Sequence, residues 1–230
     1  GLAATPVTIS GVTITGGYSG KGGGIYGYNT LLAVNNCVVT GNFASDSGGG
    51  IYIGGAYSVL TVSNSTISNN SASYGGGGVA TSNFGAAVTI QQSSLSGNSA
   101  KYGGGVFVHN DNGNALTITG STISGNNVHS GYYDGYYTGG NGGGVYLKHT
   151  PLVISNSTIA NNTADRVGGG VVSYSGNNAA ISNSTISGNS ANYAGGIVQY
   201  DPYSTLALTN SVVAGNTATQ DPDTGNPGGG

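Results

Sequence analysis

The chain has 230 residues, among them 46 glycines and 16 tyrosines but only four basic and seven acidic residues, for a net charge of −3. So much glycine excludes a helical protein, because each interior glycine costs a helix about 0.5–1 kcal/mol relative to alanine; an apolar content of 37% with so small a net charge excludes a disordered chain. Four scattered cations (Lys21, Lys101, Lys148, Arg166) cannot neutralise a run of phosphates, so nucleic acid is excluded as a partner, and no apolar stretch approaches the roughly 20 residues of a transmembrane helix.

From the amino terminus, the chain opens on Gly1-Leu2-Ala3-Ala4-Thr5-Pro6-Val7-Thr8-Ile9, which reads as the tail of one strand and the start of an alternating one. Thr13-Ile14-Thr15 follows, and from there the sequence repeats. Aligning the central apolar residue gives Ile14, Val39, Ile67, Leu95, Ile123, Ile159, Ile186 and Val213, a period of about 28 residues. Three residues further on stand Asn42, Asn70, Asn98, Asn126, Asn162, Asn189 and Asn216, with Gly17 in the first copy. Next comes a glycine pair with a β-branched residue, from Gly23-Gly24-Ile25 through Gly104-Gly105-Val106 to Gly195-Gly196-Ile197. An alternating strand such as Val88-Thr89-Ile90 closes each unit. Two-residue alternation broken by glycine, asparagine and serine predicts three short strands per unit.

One such unit cannot bury its inward Ile, Val and Leu alone, so successive units must cover one another. The predicted fold is all-β: a parallel β-solenoid (β-helix) of about eight turns, a single domain over residues 1–230, with an insertion loop at 129–141 and an irregular segment at 217–230. Stacking places identical residues about 4.8 Å apart, so the seven asparagines are expected to form an amide ladder with a structural role. The glycine pairs are read as tight corners that need positive φ or close backbone approach. Lone Cys37 excludes an internal disulfide.

The recurring Gly-Gly-[Ile/Val] strand with Ser-x-Ile-x-x-Asn resembles the repeats of bacterial right-handed parallel β-helix surface proteins, including polymorphic outer-membrane proteins and autotransporter-type adhesins. The resemblance covers essentially the whole chain. It implies a right-handed coil, an extracellular or cell-surface location and a non-enzymatic role.

Alternation places the residue between two core positions on the outer face. After the glycine pairs that column reads Tyr26, Tyr52, Ala80, Phe107, Tyr146, Val172 and Val198, expected as an exposed stripe. With Tyr132, Tyr133, Tyr136 and Tyr137 of the insertion, it is the candidate contact surface, suited to glycans or to another solenoid. The competing reading is that aromatic neighbours simply stabilise their sheet, by about 0.2–1 kcal/mol per pair. A second outward face, with Thr13/Thr15, Thr66/Ser68 and Thr122/Ser124, resembles ice-binding threonine ladders but is interrupted by Val38, Ala160 and Val212.

Right-handed β-helices also include polysaccharide lyases and hydrolases, which need facing or clustered carboxylates. Asp46, Lys101, Asp165 and Arg166 fall at equivalent corners of alternate units, too far apart to form one cluster, and His109, His129 and His149 differ in register. No catalytic, metal or cofactor set is expected. Asn-x-Ser/Thr triplets at Asn64, Asn69, Asn156, Asn161 and Asn183 are candidate N-glycosylation sites. Leu2, Val7 and Ile9 at one end and Gly228, Gly229 and Gly230 at the other read as complementary half-turns, so a head-to-tail homopolymer is expected. The functional expectation is a non-enzymatic extracellular structural protein that assembles end to end. A glycan-binding adhesin is the alternative, and a polysaccharide-degrading enzyme the third reading.

Overall fold

The computed structural model describes residues 5–81, 86–109, 113–133, 136–174 and 178–219. They form a parallel β-solenoid with no helix: three sheets of eight strands and a fourth of seven run along one axis. Each coil contributes one strand to each sheet in turn. In the second coil these are Thr30–Asn35, Val38–Thr40, Phe43–Ala44 and Ile51–Gly54. Seven coils are complete, and an eighth supplies Leu206–Thr209, Val212–Ala214 and Thr217–Ala218.

Two expectations are corrected here. Each coil has four strands rather than three, the extra one being the two-residue segment after each ladder asparagine, such as Ser71–Ala72. It was missed because two residues carry no periodicity. Irregularity does not begin at residue 217, since Thr217–Ala218 pairs in register with Ser190–Ala191; residues 220–230, with Gly228, Gly229 and Gly230, lie outside the described residues, as does Leu2.

Pairing is in register throughout the first two sheets, for example Thr66↔Ser94, Ile67↔Leu95 and Ser68↔Ser96. A one-residue slip would turn every inward Ile and Leu outward, so burial of one face fixes the register. The core is a column of those side chains: Ile67, Leu95, Ile123, Ile159 and Ile186 are all fully buried. Each contributes about 1.5–3 kcal/mol from removal of its surface from water.

The corners explain the polar repeats. The residue after the first-sheet strand takes positive φ at Asn36, Asn64, Gln92, Asn156, Asn183 and Asn210, and the residue after the second-sheet strand does so at Gly41, Asn69, Gly97, Gly125, Asn161, Gly188 and Gly215. Asparagine and glycine are the residues that enter this left-handed region most readily. The glycine pairs do something different. A Cβ on Gly49 would lie 2.3 Å from the Ser71 carbonyl oxygen and 2.6 Å from that of Gly77, so the pair lets one coil approach the next.

Candidate functional site

The asparagine ladder forms as expected. Asn98 Nδ2 donates to Asn126 Oδ1 at 2.9 Å and to the Ile67 carbonyl at 3.0 Å, while its backbone N–H donates to the same Asn126 Oδ1 at 3.0 Å. The pattern recurs from Asn42 through Asn70, Asn126, Asn162 and Asn189 to Asn216. In the first coil the Gly17 backbone N–H donates to Asn42 Oδ1 at 2.9 Å. From Asn42 to Asn189 the ladder is buried. It satisfies the corner backbone groups that an apolar residue would leave without partners.

A second buried ladder escaped the sequence reading. Ser65 N–H donates to Ser93 Oγ, Ser93 to Ser121, Ser121 to Ser157 and Ser157 to Ser184, each at 3.1 Å. Cys37 occupies the same place in its coil: its N–H donates to Ser65 Oγ at 3.0 Å, and its Sγ lies 3.2 Å from the Asn35 carbonyl oxygen. The signal was present as the serine before each Thr-Ile-Ser, hidden because serine is also a common turn residue.

The aromatic column is the main correction. Tyr52, Ala80, Phe107, Tyr146 and Val172 point away from the central core as alternation required, yet all are buried, forming a second apolar cluster with Val167, Tyr102, Tyr193 and Val198 packed against them. The corner that precedes each glycine pair folds back across this face. Ser47, Gly75, Tyr102, Asn141 and Val167 form a parallel column of backbone bridges there, and a Cβ on Gly75 would sit 2.8 Å from the Phe107 ring. Phe107 and Tyr146 stack at 5.7 Å and 12°, and Tyr102 lies against Tyr146 at 5.3 Å. Tyr26, first in the column, stays 56% exposed and stacks on Tyr52 at 5.6 Å and 4°.

Burial raises the Tyr146 phenol well above its ordinary value of 10.0, with the neighbouring Tyr102, Tyr174, Tyr74 and Tyr200 adding to the effect. The folded protein therefore holds this proton more tightly than the unfolded chain. Stability is independent of it below the unfolded pKa and falls as pH rises past about 10, by about 1.4 kcal/mol per pH unit from Tyr146 alone. Denaturant midpoints measured on both sides of about pH 10 should show this decline, and Tyr146→Phe should flatten it. An unchanged slope in that variant would refute the assignment.

The insertion is an antiparallel hairpin: Ser130–Tyr133 pairs with Tyr136–Gly139, bringing Tyr132 opposite Tyr137 and Tyr133 opposite Tyr136 along the backbone. Its base is tied to the coils on either side. Gly140 N–H donates to the Lys101 carbonyl, and Arg166 N–H to that of Gly140, each at 2.8 Å; Asp165 accepts from Ser130 N–H at 2.8 Å and lies 3.9 Å from His129 Nδ1. Asp165 is thus joined to the hairpin, while Asp46 pairs with Lys21 at 3.4 Å and Asp201 accepts the Tyr203 N–H. Among the described residues no three His, Cys, Asp or Glu come together as a metal-sized group, and no helix is long and apolar enough to cross a membrane.

The five sequon asparagines, Asn64, Asn69, Asn156, Asn161 and Asn183, all occupy exposed positive-φ corners. Backbone conformation alone accounts for asparagine at these positions. Comparison with models of known protein families, with curated proteins and with solved structures finds no match.

Proposed function

We propose that this chain, whose repeats resemble those of bacterial β-helix surface proteins, is a structural β-solenoid subunit of an extracellular or surface filament, joined to further copies coil upon coil. What carries the reading is the state of the terminal coils. Leu206, Leu208 and Val213 are 37%, 48% and 44% exposed, although the residues directly behind them, Ala179, Ile181 and Ile186, are buried. Val7 at the opposite end is 42% exposed, with Leu32 buried behind it. Among the described residues the first and last strands are parallel edges that expose apolar side chains, the arrangement that accepts another coil. The amide ladder would break at such a junction, because Gly17 offers no side chain, whereas the backbone ladders and apolar column would continue.

Micrographs and sedimentation of the purified protein test this. The expected result is rods much longer than the roughly 38 Å of eight coils, shortened to single rods by Leu208→Lys with Val213→Lys. Wild-type protein that stays as single rods at every concentration would overturn the reading.

A second reading, glycan contact, is favoured by a cleft of about 610 Å³ between Tyr26, Lys21, Asp46 and Ser19. An exposed ring beside an ion pair suits a sugar's apolar face and hydroxyls. This cleft opens between the first and second coils, so polysaccharide binding by single rods that is lost on assembly would join the two readings.

A further inference from the structure

We propose that Tyr174 and Tyr200 are an oxidative cross-linking site, at which a one-electron oxidant of the peroxidase class joins the two rings into an intramolecular dityrosine that staples the sixth coil to the seventh.

Position brings the pair together. Tyr174 ends the strand Val171–Tyr174, and Tyr200 follows the strand Ile197–Gln199, which pairs with it in register through Ser173↔Gln199. The Tyr200 N–H donates to the Ser173 carbonyl at 3.0 Å. The ring centroids are 5.4 Å apart at 60°, and the residues are 43% and 48% exposed. Coupling forms a bond between ring edges, at the carbons ortho to the hydroxyls. A tilted pair can meet edge to edge, whereas the Tyr26–Tyr52 pair presents parallel faces at 4°. The Tyr102–Tyr146 and Tyr74–Tyr102 pairs have similar tilts, 57° and 56°, but each includes a covered ring, Tyr146 being buried and Tyr102 half-buried.

Composition supplies a second, independent reason. The chain contains no methionine and no tryptophan, and its single cysteine, Cys37, is 1% exposed. These are the side chains that would otherwise compete for an oxidant. Oxidising equivalents arriving at this surface therefore end on tyrosine.

The step balances. Each phenol gives one electron and its hydroxyl proton to the oxidant, leaving two phenoxyl radicals. Their ortho carbons form one carbon–carbon bond, and the hydrogen on each of those carbons moves as a proton to the phenoxyl oxygen, which restores both rings. The protein loses two hydrogens in all, and one hydrogen peroxide is reduced to two waters. The staple ties two neighbouring coils of the stack, which otherwise hold to each other by hydrogen-bonded ladders and packing alone.

Dilute protein treated with peroxidase and limiting hydrogen peroxide tests the proposal. Dityrosine fluorescence should appear while the chain keeps monomer mobility on a denaturing gel, and mass spectrometry of a peptic digest should place a link, two hydrogens lighter, between Tyr174 and Tyr200. Tyr174→Phe should remove that link and most of the fluorescence, while Tyr57→Phe, at another exposed ring (68%), should remove neither. A folded protein that yields only intermolecular links, or a Tyr174→Phe variant with undiminished fluorescence, would overturn it.

Discussion

Asn126→Ala is expected to cost about 3–5 kcal/mol, because it removes the acceptor of two buried donors and the donor to a third buried group. Asn98 would lose the acceptor of its backbone N–H and one of the two acceptors of its side-chain amide, which keeps the Ile67 carbonyl, and the Leu95 carbonyl would lose the Asn126 Nδ2 that reaches it at 3.0 Å. Asn98 and Asn126 are both fully buried, so water does not replace these bonds without entering the stack. Asn162 Oδ1 would be spared, since it also accepts the Asn126 backbone N–H. Coils touch only their neighbours, so the damage divides the rod between its fourth and fifth coils and should broaden a single unfolding transition into two. Asn216→Ala provides the comparison. It removes the acceptor of the same two donors on Asn189, but at a half-exposed end where water can reach them, and should cost about 1 kcal/mol. Equal losses at the two positions, measured by denaturant unfolding, would show that the ladder's burial is not what makes it matter.

Gly77→Ala is expected to cost at least about 3 kcal/mol, at the upper end of overpacking effects, because nothing near it can yield cheaply. A Cβ there would lie 2.4 Å from the Ser99 carbonyl oxygen, 2.5 Å from the Ser99 nitrogen and 2.7 Å from the Gly104 carbonyl oxygen. All three are backbone atoms of the next coil, so relief requires two coils to separate and their ladder bonds to lengthen. Gly125→Ala tests a different property of glycine. That residue has φ of 61° with nothing within 4 Å of a built Cβ, so alanine meets only left-handed strain, about 1–2 kcal/mol. If the two variants unfold at the same denaturant concentration, close coil approach is not the reason for the glycine pairs.

These two positions also show why so much was legible beforehand. In a stacked rod, residues one period apart are spatial neighbours, so a repeat in sequence is already a list of contacts. Ile67, Leu95 and Ile123 announced the core, and Asn70, Asn98 and Asn126 announced the amide ladder, because each column repeats one residue type. The serine ladder and the third sheet's strands were harder. Their residues, such as Ser93 and Ser99–Ala100, look like any turn until the coil places them.

The candidate contact surface was the least legible part. Alternation correctly put Tyr52, Phe107 and Tyr146 on the face opposite the core, but whether another layer covers that face depends on where the chain runs next. The corner through Gly75 and Tyr102 turns back across those rings. No two-residue pattern encodes that reversal, and it leaves Tyr26 as the accessible aromatic of that column in place of the predicted stripe. The sequence by itself determined the period, the inward column and the asparagine ladder, since all three follow from neighbours at a fixed interval. Only the tertiary structure decided which outward residues meet water, because exposure is settled by what a corner packs against and not by the strand that bears the side chain.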